Sequence, residues 1–307
     1  MATATTAAPG RQQERTTRRT RTGIDRAYYW MVVPAFVLFF VFHTIPVLQG
    51  IFYSFTDSPG YGEWNFVGLA NYAAMFGDGR ITDAYLFTFQ FAIVATVLVN
   101  VVALALAIGL NGRIRLKNTL RGVYFVPYVL ATIVVGYVFS YMFNASLPAI
   151  AQRLGIESLS TSILTDPDRA WIGIVIMTVW QQVAFAVIIY LAGLQTVPGE
   201  LYEAASIDGA RRWGQFWHIT FPLIWGFFTI NMVLSLKTNL QVFDQIIAMT
   251  NGGPGTATES IAVVIFKGGF EGGEYGYQSA NAVVFMIVII VFAFVQLRVL
   301  QRREVTV

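Results

Sequence analysis

YLFTFQFAIVATVLVNVVALALAIGL, residues 85–110, contains no charged side chain. A bilayer's hydrocarbon core is crossed by ~20 mostly apolar residues as a helix. Lipid offers the backbone no hydrogen-bond partner, and a helix satisfies its own amides. Five further stretches are long and mostly apolar: Tyr28–Phe55, Leu120–Phe143, Trp171–Leu194, Leu223–Met249 and Ala280–Leu300. The chain of 307 residues is 56% hydrophobic and only 12% charged, with a mean hydropathy of +0.59. Ordinary soluble domains carry about 25% charged residues. The pattern predicts an all-α, polytopic membrane protein with about six transmembrane helices.

Six spans place both ends on one side, and the basic residues choose the side. Of 20 arginines and lysines, six lie in the N-terminal tail (Arg11, Arg15, Arg18, Arg19, Arg21, Arg26). Four follow the second span (Arg113, Arg115, Lys117, Arg121), two follow the fourth (Arg211, Arg212), and three follow the sixth (Arg298, Arg302, Arg303). The opposite face holds Arg80, Arg153, Arg169 and Lys267. Positive charge in short loops stays cytoplasmic, so both termini and the loop 199–222 are expected there. The net charge of +3 is this orientation signal and calls for no nucleic-acid partner. Residues 1–27 read as a disordered cytoplasmic tail, polar and poor in large apolar groups. The first apolar run is too long for a cleaved signal peptide. The outer segments are expected near 56–84, 144–170 and 250–279.

There is no cysteine, and the two histidines, His43 and His218, show no metal-ligand spacing, so no metal site is expected. None of the three lysines completes the G-x-x-x-x-G-K-[ST] phosphate cradle. No nucleophile–histidine pair or carboxylate dyad stands out, and the chain does not read as an enzyme or as binding a cofactor.

Between the fourth and fifth spans lies a polar segment with a sharp pattern. Pro198 suits a helix start, and Glu200, Leu201, Glu203, Ala204 and Ala205 are good helix formers. Asp208-Gly209 breaks the run, since glycine reaches left-handed angles without strain. A second helix is expected through Arg211–Ile219, ending at Pro222. The small Ala204, Ala205 and Ala210 would let another surface approach closely. From the residues alone, a docking surface and an amphipathic helix lying in the membrane interface, anchored by Trp213 and Trp217, both remain open.

Ionisable residues inside spans are costly and usually functional. Away from the span ends, two charged residues occur, Lys237 and Asp244. In a continuous fifth span, Lys237, Gln241 and Asp244 fall at i, i+4 and i+7, on one helical face. Asn239 lies on an adjacent face, and the fourth span adds Trp180, Gln181 and Gln182. Amides exchange hydrogen bonds with hydroxyls, and an aromatic face packs on the C–H face of a pyranose. These residues are therefore candidates for a solute path, with Lys237 and Asp244 as candidates for gating. Glue between helices is the competing role for the amides.

The segment Glu203-Ala204-Ala205, Ser206-Ile207-Asp208, Gly209, closing on Ile219-Thr220-Phe221-Pro222, resembles the EAA loop of permease subunits of ATP-driven (ABC) importers. Ile45-Pro46, Ser54-Phe55-Thr56-Asp57, Phe66-Val67-Gly68-Leu69, Asn71-Tyr72, Phe243-Asp244 and Met249-Thr250-Asn251-Gly252-Gly253-Pro254 are similar to the carbohydrate-uptake branch, on the side of the maltose-type larger permease. The long extra N-terminal spans and large outer domain of some maltose permeases are not expected here. The resemblance implies a type I ABC importer permease fold, with spans two to six as the core and span one wrapping a partner. It implies that Glu203, Ala204, Ala205, Asp208, Gly209, Ala210, Phe216 and Pro222 couple the chain to an ATPase. The implied partners are a second permease, two ATPase subunits carrying ATP and Mg, and an extracytoplasmic solute-binding protein. The expected cargo is a sugar, first a neutral di- or oligosaccharide, moved by alternating access.

The expected organisation is a tail (1–27), a first span with its outer loop (28–84), a five-helix core (85–300) holding the loop 199–222, and a cytoplasmic tail (301–307). Two other classes remain. A self-sufficient secondary transporter or channel would show internal repeats and intramembrane ion sites, and a membrane enzyme would show clustered His, Asp or Glu.

Overall fold

The computed structural model describes residues 26–112 and 117–301. The expected N-terminal tail (but for its last two residues), the arginines from Arg11 to Arg21, Arg113 and Arg115, and the last residues with Arg302 and Arg303 lie outside the described residues. By contacts the chain forms two units, one ending at Leu48 and the other beginning at Gln49.

The first unit contains α1 (Arg26–Phe39), a π turn (Phe40–Thr44) and the start of α2 (Ile45–Tyr53). Trp30–Tyr53 is apolar and long enough to cross a membrane, close to the expected first span. The second unit continues through α3 (Ala70–Met75), α4 (Gly79–Asn111), α5 (Lys117–Val129), α6 (Thr132–Tyr141), α7 (Leu147–Leu154) and α8 (Ala170–Thr196). The loop between spans holds α9 (Gly199–Ile207), α10 (Arg212–Gln215) and α11 (Phe221–Leu223). Then come α12 (Trp225–Leu240), α13 (Asp244–Met249), α14 (Ile261–Phe266) and α15 (Tyr275–Gln301). No strand occurs among the described residues.

Five described helices have the length and apolarity of membrane spans, and a sixth arises if α12 is joined to the bent segment Arg212–Leu223. The centre of the unit is α4 against α8. Along α4 the buried positions Ala92, Ala95, Thr96, Val99, Ala103 and Ala107 recur at helical spacing. Small residues let helix backbones approach closely where lipid gives no hydrophobic drive to association. From α8, Ile174, Met177, Ala186, Val187 and Tyr190 fill the two apolar clusters along this contact.

Two expected spans are broken, each for a local reason. The stretch 120–143 is not one helix. α5 contains Pro127 and stops at Val129, Ala131 is extended (φ −61, ψ 128), and the membrane-length helix runs Thr132–Leu154. The helical segment therefore extends past the expected start of an outer loop at 144. The stretch 223–249 also divides. α12 ends at Leu240, Gln241 (φ −94, ψ 24) and Phe243 (φ −142, ψ −64) leave helical geometry, and α13 is a separate turn. α13 packs on α6 because Gly136 has no side chain; a Cβ there would lie 2.5 Å from the Ala248 Cβ.

Three of the four π turns among the described residues share a cause. Phe40–Thr44, Met142–Ser146 and Phe216–Thr220 each end two residues before a proline: Pro46, Pro148 and Pro222. A helical proline removes the N–H that residue i−4 would use and presses its ring on that carbonyl. The affected residues, Phe42, Asn144 and His218, lie at the centre of each π turn, where the widened helix relieves the clash. The fourth, Lys267–Glu271, contains Gly268 and Gly269 instead.

The outer segment 56–84, expected to group with the first span, is tied to the rest of the second unit. Asn71 donates to the Ser54 and Thr56 carbonyls (2.9 and 2.8 Å), and Tyr72 and Ser54 share a hydrogen bond of 2.7 Å. Gly276 N–H donates to the Ser58 carbonyl at 2.7 Å. A Cβ on Gly276 would meet the Thr56 carbonyl oxygen, so the contact requires glycine. At the start of α4, Arg80 forks onto the buried Glu259 at 2.8 and 3.0 Å, with Lys267 3.5 Å from the same carboxylate.

Candidate functional site

The loop 199–222 folds as two short helices joined by a tight turn. Pro198 is extended at the N-cap, one position before the helix it was expected to start. α9 ends at Asp208, and Gly209 takes a left-handed φ of +80. Ala210 N–H then reaches back to the Ala205 carbonyl at 2.8 Å, the six-to-one bond of a glycine-terminated helix end. No atom lies within 4 Å of a Cβ built on Gly209, so backbone angle rather than space dictates the glycine. Tyr202 and Thr220 share a hydrogen bond of 2.9 Å, and Gln215 donates to Ser206 Oγ at 2.9 Å and the Ala210 carbonyl at 3.1 Å. These bonds fix the turn to the chain entering the fifth span. That entry is not straight: the segment ending in Pro222 and Leu223 meets α12 at 70°.

Glu203, Ala204, Asp208, Gly209 and Ala210 are exposed; Ala205, Phe216 and Pro222 are half-buried. The hairpin also exposes Ile207 (86%) and Trp213 (73%). Phe216, Trp217, Phe221, Trp225 and Phe228 form a continuous aromatic ladder with centroids 5.0 to 5.8 Å apart, running from the loop onto α12. The tryptophans of the second helix were visible in the sequence, but Tyr202–Thr220 and Ser206–Gln215, which hold the two helices together, were not.

A cleft of about 250 Å³ opens between α5, α8 and α12, lined by Tyr128, Gln182, Phe185, Ala186, Asn231, Leu234, Ser235 and Thr238. Tyr128 stacks on Phe185 with centroids 4.9 Å apart. Asn231 is buried and donates to the Ala186 carbonyl at 3.0 Å. Behind the cleft, Gln182 donates to Asn239 Oδ1 at 2.9 Å, and Asn239 donates to Thr96 Oγ1 at 3.1 Å. Asn239 thus joins α4, α8 and α12. The cleft combines hydrogen-bonding side chains with a stacked aromatic pair, suited to a small polar solute that also has an apolar face.

The expected path residues do not converge on one place. Gln182 borders the cleft with Asn239 behind it. Gln181 is buried and donates to the Leu130 carbonyl at 2.9 Å, satisfying a group freed by the break after α5. Trp180 packs on Phe139 at 5.3 Å, away from the cleft lining. Lys237, Gln241 and Asp244 do not share a helical face, because the helix stops between Leu240 and Asp244. Gln241 borders a groove with Ile265, Ala282, Phe285, Met286, Ile289 and Ile290. Lys237 faces Ile289, Ala293 and Gln296 of α15, and Asp244 is exposed at the start of α13. Tyr128, Phe185 and Thr238 were missed as lining residues. Ser235 and Thr238, with Leu234, recur at i, i+1 and i+4, a signal available in the sequence; Tyr128 required knowing where α5 packs.

The family model for the binding-protein-dependent transport system inner membrane component matches residues 99–305. The chain belongs to this family. Relatives of this permease include the multiple sugar-binding transport system permease protein MsmF of Streptococcus mutans, 36% identical over 282 residues, covering 90% of this chain and 97% of the relative. The trehalose/maltose transport system permease protein MalF of Thermococcus litoralis is 33% identical over 273 residues, covering 88% and 92%. In structure, a chain of the bacterial alginate ABC transporter in complex with alginate pentasaccharide-bound periplasmic protein superposes with a TM-score of 0.79 at 21% identity, over 92% of this chain and 96% of that one. That likeness carries the fold, the type I ABC importer permease fold. The permease is accordingly a multi-pass membrane protein.

Proposed function

We propose that this permease carries a sugar across the cell membrane, powered by ATPase subunits that dock on the hairpin 199–222. The supporting observation is the hairpin itself. Its two helices are joined by hydrogen bonds, it exposes Ile207 and Trp213, and Tyr202 bonds Thr220 in the chain entering α12. A push on α9 is passed to α12, whose side chains line the cleft, so ATP-driven closure below changes access above. ATP and Mg reside on those partner subunits. A second permease chain completes the path, an extracytoplasmic binding protein delivers the solute, and both termini face the cytoplasm.

The sugar assignment rests on the cleft and on the relatives. Gln182, Ser235 and Thr238 offer hydroxyl-matching groups, with Asn239 orienting Gln182, and Tyr128 with Phe185 offers a face for the ring. MsmF and MalF are named for multiple-sugar and trehalose/maltose transport. Purification of the tagged chain from native membranes, reconstitution with the co-eluting subunits, and uptake of radiolabelled sugars with and without ATP test the reading. ATP-dependent uptake lost in Phe185→Ala is expected. Uptake by this chain without an ATPase would overturn the reading.

A further inference from the structure

Lys237 has no ion pair or hydrogen bond among the described residues. Its depth follows from its neighbours. Asn239, two residues on, bonds Thr96 near the middle of α4 and Gln182 near the middle of α8. Lys237 itself borders Ile289, near the middle of α15. Two residues of helix rise ~3 Å, so Lys237 is rooted near the middle of these membrane-length helices.

Its face of α12 is open. Ile230, Leu234, Lys237 and Thr238 are all exposed and recur at i, i+4, i+7 and i+8, one side of the helix. Leu234 and Thr238 also line the cleft. An unpaired ammonium turned to lipid at this depth is costly, and such residues face a bundle interior or a water-filled cavity.

Resting on the permease reading above, we propose that Lys237 is a charge filter in the solute path. Lys237 is rooted next to Thr238 and one turn from Leu234, both of which line the cleft, and borders Ile289, Ala293 and Gln296 of α15; low-dielectric walls on either side focus its field. The path therefore favours solutes bearing an anionic group over neutral ones, and both over cationic analogues such as amino sugars.

The absence of cysteine from this chain permits a direct test. In the assembled complex with cysteine-free partners, L234C is labelled with anionic and cationic methanethiosulfonates, each rate divided by that with a free thiol. The anionic-to-cationic ratio is expected to fall about tenfold when K237Q is added and to persist in K237R. An unchanged ratio in K237Q overturns the proposal. So does absence of labelling by both reagents, which would show the face covered by protein, as by a partner carboxylate paired with Lys237. Should K237Q not assemble, L234C is compared with I230C, one turn farther from Lys237, in the otherwise native chain; equal ratios overturn the proposal. Co-elution of an ATPase and ATP-dependent uptake are read on the same preparation, so failure of the permease reading shows separately from failure of the filter.

Discussion

Replacing Asn239 with leucine removes the donor and the acceptor that join three helices. The bonds are 2.9 Å from Gln182 and 3.1 Å to Thr96. Side-chain hydrogen bonds between membrane helices average about 0.6 kcal/mol, so the pair contributes about 1.2 kcal/mol. Thr96 is buried and keeps an unmatched hydroxyl after the change, and a buried polar group left unpaired costs about 1–3 kcal/mol. Gln182 is half-buried and recovers part of its loss from water. Asn239→Leu should therefore destabilise the permease by about 1–3 kcal/mol, a factor of about 5–150 in the folding equilibrium. Unfolding in mixed micelles, followed by tryptophan fluorescence, gives the difference. A double-mutant cycle with Thr96→Val should return a coupling of about 0.6 kcal/mol. Sugar uptake should fall less than in Gln182→Ala, because Asn239 acts through Gln182. Unchanged stability together with abolished uptake would refute this account and make Asn239 a direct solute ligand.

Gly209→Ala forces a left-handed alanine at φ +80 with no clash, a local strain of about 1 kcal/mol. Folding should survive, while ATPase activity stimulated by solute falls several-fold, measured in reconstituted vesicles. Glu259→Gln takes the carboxylate from between Arg80 and Lys267 and should lower the thermal midpoint by a few degrees; because Arg80 is partly exposed, the loss should stay near 1 kcal/mol rather than the value for a fully buried pair. At Asp57, hydrogen bonds from the Asn65 backbone and side-chain amides hold the carboxyl below the ordinary aspartate range. A lowered folded value stabilises above the unfolded value and is lost as pH falls through the folded one. The turn 57–65 should thus resist proteolysis from neutral pH down through mild acid and open only in stronger acid, with Asp57→Asn flattening that pH dependence.

Much of this was legible before folding. A membrane helix must bury every backbone amide within itself, so length and apolarity marked the spans directly. Gly209 and the alanines around it marked the hairpin, because a left-handed turn demands glycine wherever it occurs. Less legible was where helices stop. Pro127 was visible, yet whether a proline bends a helix or ends it depends on who satisfies the freed carbonyls; here Gln181, more than fifty residues away, does so for Leu130. The fifth span was misjudged for a related reason. Nothing between Leu240 and Asp244 is a strong helix breaker, and the break is held by tertiary contacts, including Ser260 Oγ donating to the Val242 carbonyl at 2.7 Å.

The sequence by itself determined the class of molecule, the membrane-length segments and the turn chemistry of the hairpin, since each follows from groups close together along the chain. The tertiary structure decided which polar residues serve the path. Gln181 and Gln182 are neighbours, yet successive helix positions point about 100° apart, so one mends a broken helix while the other borders the cleft. Lys237 and Asp244 would share a face in a continuous helix, yet the break after Leu240 leaves Lys237 against α15 and Asp244 exposed at the start of α13. Those assignments depend on which helices meet, and helix pairing is set by close fit between small residues far apart in the chain.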